Sequence, residues 1–161
     1  MDIHLPVDPS IPTLLGVYDH LHALSGSDII GGMTILLRDN GDVFENSLSL
    51  DIGDSEQPTE SNSPTALWQF DLVLKFEMPS TAEVAAGPNR GKIIEASWDW
   101  MMYFGEVLII VSKYLSSQSI TGVFVQRTLP VNSSIIESDM EGNSAYEYRI
   151  PIIAKYDGLD R

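Results

Sequence analysis

From Gln69 to Met78 the chain alternates: Phe70, Leu72, Leu74, Phe76 and Met78 fall on one side, and Gln69, Asp71, Lys75 and Glu77 on the other. Successive side chains of a strand point to opposite faces, so the pattern predicts a strand with one core face and one wet face. A sheet that is apolar on a single face has to be covered there, and the helical segments of the sequence supply the cover.

Ile11 to Leu24 places Leu14, Leu15, Val17, Tyr18, Leu21 and Leu24 at helical spacing, with Pro12 in the first turn and Gly26 just beyond. A longer helix is expected from about Lys92 to Ser117. Its Ile94, Trp98, Met101, Met102, Leu108, Ile109 and Leu115 exceed one stripe, and Ile93, Trp100, Tyr103, Phe104 and Val111 spread the apolar surface around most of the circumference. More than one face of this helix needs covering, and a neighbouring subunit is one source of the second cover.

Met33–Arg38 and Phe44–Ile52 flank Asp39-Asn40-Gly41-Asp42, where Asn-Gly supplies the positive φ angles of a type I′ hairpin turn. The competing reading at that point is a helix ending at Gly41. Ile120–Leu129 and Ala145–Tyr156 read as two closing strands joined by a long hairpin loop, Pro130–Asn143, rich in Ser and acids. Pro151 cannot donate to a ladder, which favours an edge position for the last strand. Gly53–Thr65 carries two Pro and no large apolar residue, and reads as a mobile loop. The expected fold is an α+β two-layer sandwich: a mainly antiparallel sheet of about five strands with two helices on one face. A single domain over residues 1–161 is expected, with flexible acidic loops at about 53–65 and 130–143.

Composition limits the chemistry. The net charge of −14 repels nucleic-acid phosphate and anionic lipid, so a DNA-gripping role is not expected. The chain has no Cys, which excludes disulfides, thiol nucleophiles and zinc–thiolate sites. Met1–Pro6 lacks the basic start and apolar run of a signal peptide, and Trp100–Val111, interrupted by Glu106, falls short of a membrane span. A soluble protein made inside a cell is the expectation.

Catalytic constellations are poor. The histidines are His4, His20 and His22, and residues two apart on a helix point in directions about 200° different, so His20 and His22 cannot chelate one ion. Asp19 shares a face with His22, but two ligands are too few. Gly87-Pro88-Asn89-Arg90-Gly91-Lys92-Ile93 is one residue short of a phosphate loop and has Ile93 where a Ser or Thr belongs. Asp39–Asp42 lacks the spacing of a calcium loop, and no Ser sits in a nucleophile elbow. Neither enzyme activity nor a cofactor or metal is expected. Between Arg38 and Lys75 there is no basic residue, while Asp39, Asp42, Glu45, Asp51, Asp54, Glu56, Glu60 and Asp71 accumulate. Such a surface serves solubility, or lines a passage that must not bind DNA.

The order of elements, with Leu67-Trp68-Gln69-Phe70-Asp71-Leu72 opening a strand ahead of the long helix and the closing hairpin, resembles the tail-terminator and neck (tail-completion) proteins of tailed bacteriophages, over Ile11 to Tyr156. The resemblance implies a virion structural protein, assembled in the host cytoplasm. Its copies would form a homo-oligomeric ring, a hexamer, that caps the tail tube and meets tail-tube and head–tail connector proteins. DNA would pass without specific binding and no membrane would be involved. On that reading Trp98, Trp100, Tyr103 and Phe104 are candidates for subunit packing, and Asp51, Asp54, Glu56 and Glu60 for an acidic lumen or loop. The rival expectation is a small ligand-binding or regulatory α+β module without catalysis.

Overall fold

The computed structural model describes residues 8–24, 34–37, 47–56, 66–79, 104–136 and 143–156. Helix α1 (Ser10–Ala23) precedes strands β1 (Thr34–Leu37), β2 (Ser47–Glu56) and β3 (Trp68–Pro79). A second helix, α2, covers residues 104–116, and β4 (Val123–Thr128), β5 (Asn132–Ile136) and β6 (Asn143–Tyr156) follow. The strands make one mixed six-stranded sheet ordered β1-β2-β3-β6-β4, with β5 also paired to β6. This is the expected α+β sandwich with slightly more strands.

The alternation in β3 does what its period requires. Phe70, Leu72, Leu74 and Phe76 are buried, and the register sets Phe70 against Ile152, Leu72 against Ile150, and Phe76 between Leu48 and Tyr146. Onto this face α1 lays Leu14, Val17 and Leu21 while α2 lays Phe104, Val107, Val111 and Leu115, all in one core cluster. Each fully buried side chain of this size contributes roughly 1.5–3 kcal/mol relative to exposure. At the start of α1 the Asp8 Oδ1 accepts the Ser10 N–H at 2.8 Å, and the buried Thr13 hydroxyl donates to the Pro9 carbonyl at 2.7 Å. Otherwise unsatisfied polar groups of the first turn thus find partners.

The two helices touch where a small residue lets them. A Cβ built on Gly16 would meet the Ile120 side chain at 3.2 Å and Tyr114 Oη at 3.3 Å, and one turn later His20 stacks on Tyr114 with ring centroids 4.2 Å apart. α2 ends through Gln118, whose φ of 57° is left-handed, and Gly122, with φ 77°, turns the chain into β4.

Four sequence expectations change. Strand β6 is central: β3 pairs along one side of it, β4 and β5 along the other. Pro151 is tolerated because its carbonyl accepts the Leu129 N–H at 2.9 Å just where β4 gives way, through Leu129–Val131, to β5. A residue's N and O point to the same side of a strand, so the missing donor falls in a ladder already interrupted by Pro130. β1 and β2 pair in parallel, Thr34 with Ser47 through Leu37 with Leu50, so they are not the two arms of a type I′ hairpin. Asp39–Asp42 itself lies outside the described residues. Part of each expected loop is strand, since Gly53–Glu56 continues β2 and Asn132–Ile136 is β5, while 57–65 and 137–142 lie outside the described residues. The second face of β3 is only partly wet, with Val73 and Glu77 buried.

Two outcomes are expected. Phe104→Ala removes a ring stacked 4.1 Å from Phe76 and lowers the unfolding free energy by about 3–5 kcal/mol in urea titrations. Burial raises the Tyr148 pKa above the ordinary value, helped by nearby Tyr146. The folded chain therefore keeps a proton that the unfolded chain sheds. That contribution is complete below about pH 10 and is lost as pH rises through the folded pKa. Tyr148→Phe should flatten the alkaline fall in stability measured across this window.

Candidate functional site

Cross-strand register decides which charged residues share a face. Opposite the core face, one row aligns Gly53, Asp71 and Pro151, the next Asp51, Val73 and Arg149, and the next Ser49, Lys75 and Glu147. Arg149 bridges two strands: its Nη1 lies 3.6 Å from Asp71 Oδ2 and its Nη2 3.3 Å from Glu147 Oε1. Those contacts push its already high pKa further up, the Glu147 hydrogen bond most of all. The guanidinium fits because Gly53 has no side chain; a Cβ there would stand 2.8 Å from Nη1. Lys75 Nζ lies 3.5 Å from Glu77 Oε1, whose side chain is 3% exposed. Of the acidic run that looked uncompensated along the chain, Asp71 is thus answered in space by Arg149 from β6.

Of the expected acidic set, Asp51 is half-buried and its Oδ1 accepts the Ile52 N–H at 2.7 Å, while Asp54 and Glu56 are exposed at the far end of β2. Glu60 lies outside the described residues. Of the expected packing set, Phe104 is 1% exposed and belongs to the core of its own chain, with Tyr146 5.6 Å away across the ring centroids. A ring that docks at the start of the described α2, over the sheet, is inward-facing and not a free packing surface. Trp98, Trp100 and Tyr103 lie outside the described residues.

At the opposite edge of the sheet the polar face is basic. Arg127 is exposed, and Lys155 Nζ sits 5.5 Å from the centroid of the Phe124 ring, itself 40% exposed. Sequence reading passed over this group because its members come from two strands, and Arg127 joins the face of Phe124 and Lys155 only through a register shift between Val125 and Arg127. The outer edge of β4 is capped here: the Gln118 amide donates to the Val125 carbonyl at 2.7 Å and accepts the Val125 N–H at 3.1 Å. One side chain thus imitates a neighbouring strand.

An open groove of about 620 Å³ runs between the helices, lined by His20, Leu24, Ile110, Lys113, Tyr114, Ser117 and Ser119. Burial raises the Tyr114 pKa, with a smaller push from Asp19, so the phenol is neutral there at physiological pH. His22 lies against Tyr18, with centroids 5.7 Å apart, and His4 is outside the described residues. Among the described residues no three His, Asp or Glu converge as a metal site would need, and no helix is long and apolar enough to cross a membrane. The phosphate-loop look-alike at Gly87–Ile93 is outside the described residues.

No protein-family model matches the chain, and no curated protein matches it.

The Gln118 clamp has a direct test. Gln118→Gly keeps the left-handed backbone comfortable but deletes both bonds, so it should destabilise by about 1–3 kcal/mol and speed amide exchange at Val125.

Proposed function

We propose that this chain is a non-catalytic structural subunit that assembles with copies of itself, of the kind that forms the terminating or neck ring of a bacteriophage tail. The observation that carries the reading is the outer surface of the helical layer. Ile11 and Leu15, one turn apart on α1, are 40% and 43% exposed, and Ile109 on α2 is 55% exposed. Single exposed aliphatics are ordinary on any protein surface. Here two lie one turn apart on one helix and a third lies on the helix packed beside it, in a chain whose net charge of −14 would otherwise hold copies apart.

On this reading the strongly acidic balance of the chain, a net charge of −14, lets DNA slide past the assembly without being held. Tail-tube and head–tail connector proteins are the remaining partners, and the virion is the place of action. A second reading, a small ligand-binding module, is favoured by the groove beside the His20–Tyr114 stack. A saturable rise in melting temperature with a small molecule, lost in His20→Ala, would favour it.

Light scattering coupled to size exclusion tests the assembly reading. The wild-type chain at about 50 µM should elute as a multimer, and Leu15→Asp with Ile109→Asp should weaken association at least about tenfold, equivalent to about 1.4 kcal/mol. A wild-type chain that stays monomeric at that concentration contradicts the proposal.

A further inference from the structure

The sheet is electrically polar from edge to edge. Register connects Glu56 to Gln69, Gln69 to Ile153 and Ile153 to Arg127, so a carboxylate and a guanidinium terminate one cross-strand row. With strands about 4.8 Å apart, those ends are about 14 Å from each other. β1 pairs β2 only as far as Leu50, so among the described residues the Asp54–Glu56 segment of β2 is the sheet margin at this level. Asp54 and Glu56 are exposed on that margin, and Arg127 is exposed on the other, with Lys155 and Phe124 in the neighbouring row. Among the described residues neither Asp54, Glu56 nor Arg127 belongs to an ion pair, whereas the interior charges Asp71, Glu147, Arg149, Lys75 and Glu77 do.

Each margin also carries apolar surface. The Ser55 hydroxyl donates to Asp8 Oδ1 at 3.0 Å, which ties the start of α1, and with it exposed Ile11, to the acidic margin. The basic margin has Phe124, 40% exposed. Because Gln118 already occupies both backbone groups of Val125, a partner meeting β4 at that residue is met by side chains and not by an added strand.

From this arrangement we infer that the acidic margin, Asp54 and Glu56, docks on the basic margin, Arg127, Lys155 and Phe124, of a second copy of this chain. The inference rests on the assembly reading and gives it a geometry. Two different surfaces meet, so the contact is heterologous: each copy presents both halves, and repetition yields a ring or an open filament. Opposite charges at the two margins also overcome, locally, the repulsion between chains that are each strongly acidic.

Charge exchange on the full chain tests it, with circular dichroism to verify folding. Arg127→Glu with Lys155→Glu leaves both margins acidic, and Asp54→Lys with Glu56→Lys leaves both basic. Each variant alone should associate at least tenfold more weakly than wild type, and an equimolar mixture should regain multimers in which the two alternate. Raising the salt to about 0.5 M should weaken the wild-type assembly, because exposed charge pairs are screened over a few Å there. Variants that assemble as well as wild type, or a mixture that gains nothing, would overturn this contact while leaving self-assembly standing. A wild-type chain monomeric under all these conditions would overturn both.

Discussion

Strand β6 is hydrogen-bonded along both of its edges, to β3 from Asn143 to Ala154 on one side and to β4 and β5 on the other. That double pairing organises the molecule. Its inner face brings Ile150, Ile152 and Ala154 into the rows of Leu72, Phe70 and Trp68, so the three central strands share one continuous apolar surface, and α1 and α2 have a single place to bury Leu14, Val17, Leu21, Val107, Val111 and Leu115. Its outer face brings Glu147, Arg149 and Lys155 alongside Asp71, Lys75 and Phe124. The same strand therefore sets the core and the electrostatics, and Pro151 is accommodated only because its missing donor meets the break between β4 and β5.

The polar face acquires a direction from this arrangement. Interior charges are consumed locally, Arg149 by Asp71 and Glu147 and Lys75 by Glu77, which leaves the unconsumed ones at the margins, acids on β2 and bases toward β4. Exposed pairs inside one chain add little to stability, about 0–1 kcal/mol each. Charges held apart on opposite margins have a use between molecules instead, where they set orientation and encounter rate. The Ser55–Asp8 hydrogen bond ties the start of α1, the helix that carries exposed Ile11, to the strand that carries the acidic margin.

Much of the fold was legible wherever periodicity was strong. The alternation of β3 and of Tyr146–Tyr156 identifies two strands and their buried faces, and the spacing of Leu14, Val17 and Leu21 identifies α1. What escaped was pairing. Asn40-Gly41 reads as a hairpin because local turn chemistry favours one, yet parallel pairing of β1 and β2 is decided by the rows Ile35–Leu48 and Leu37–Leu50 in the tertiary core. β5 escaped because Asn132, Ser133 and Ser134 have the composition of a loop, and only the ladder to β6 makes them a strand. The candidate site was legible in half: Asp54 and Glu56 stand out in an acidic run, whereas Arg127, Lys155 and Phe124 become neighbours only through cross-strand register. Phe104 could not be told from its aromatic neighbours by sequence, and it turns inward onto Phe76.

Hydrogen–deuterium exchange at low and high protein concentration bears most directly on a sheet organised by β6 with margins that join copies. The account predicts slow exchange throughout β3 and β6 at both concentrations, with added protection on concentration confined to Asp54–Glu56, Val123–Thr128 and the outer helical surface. Fast exchange in β6, or margins whose exchange is the same at every concentration, would contradict it.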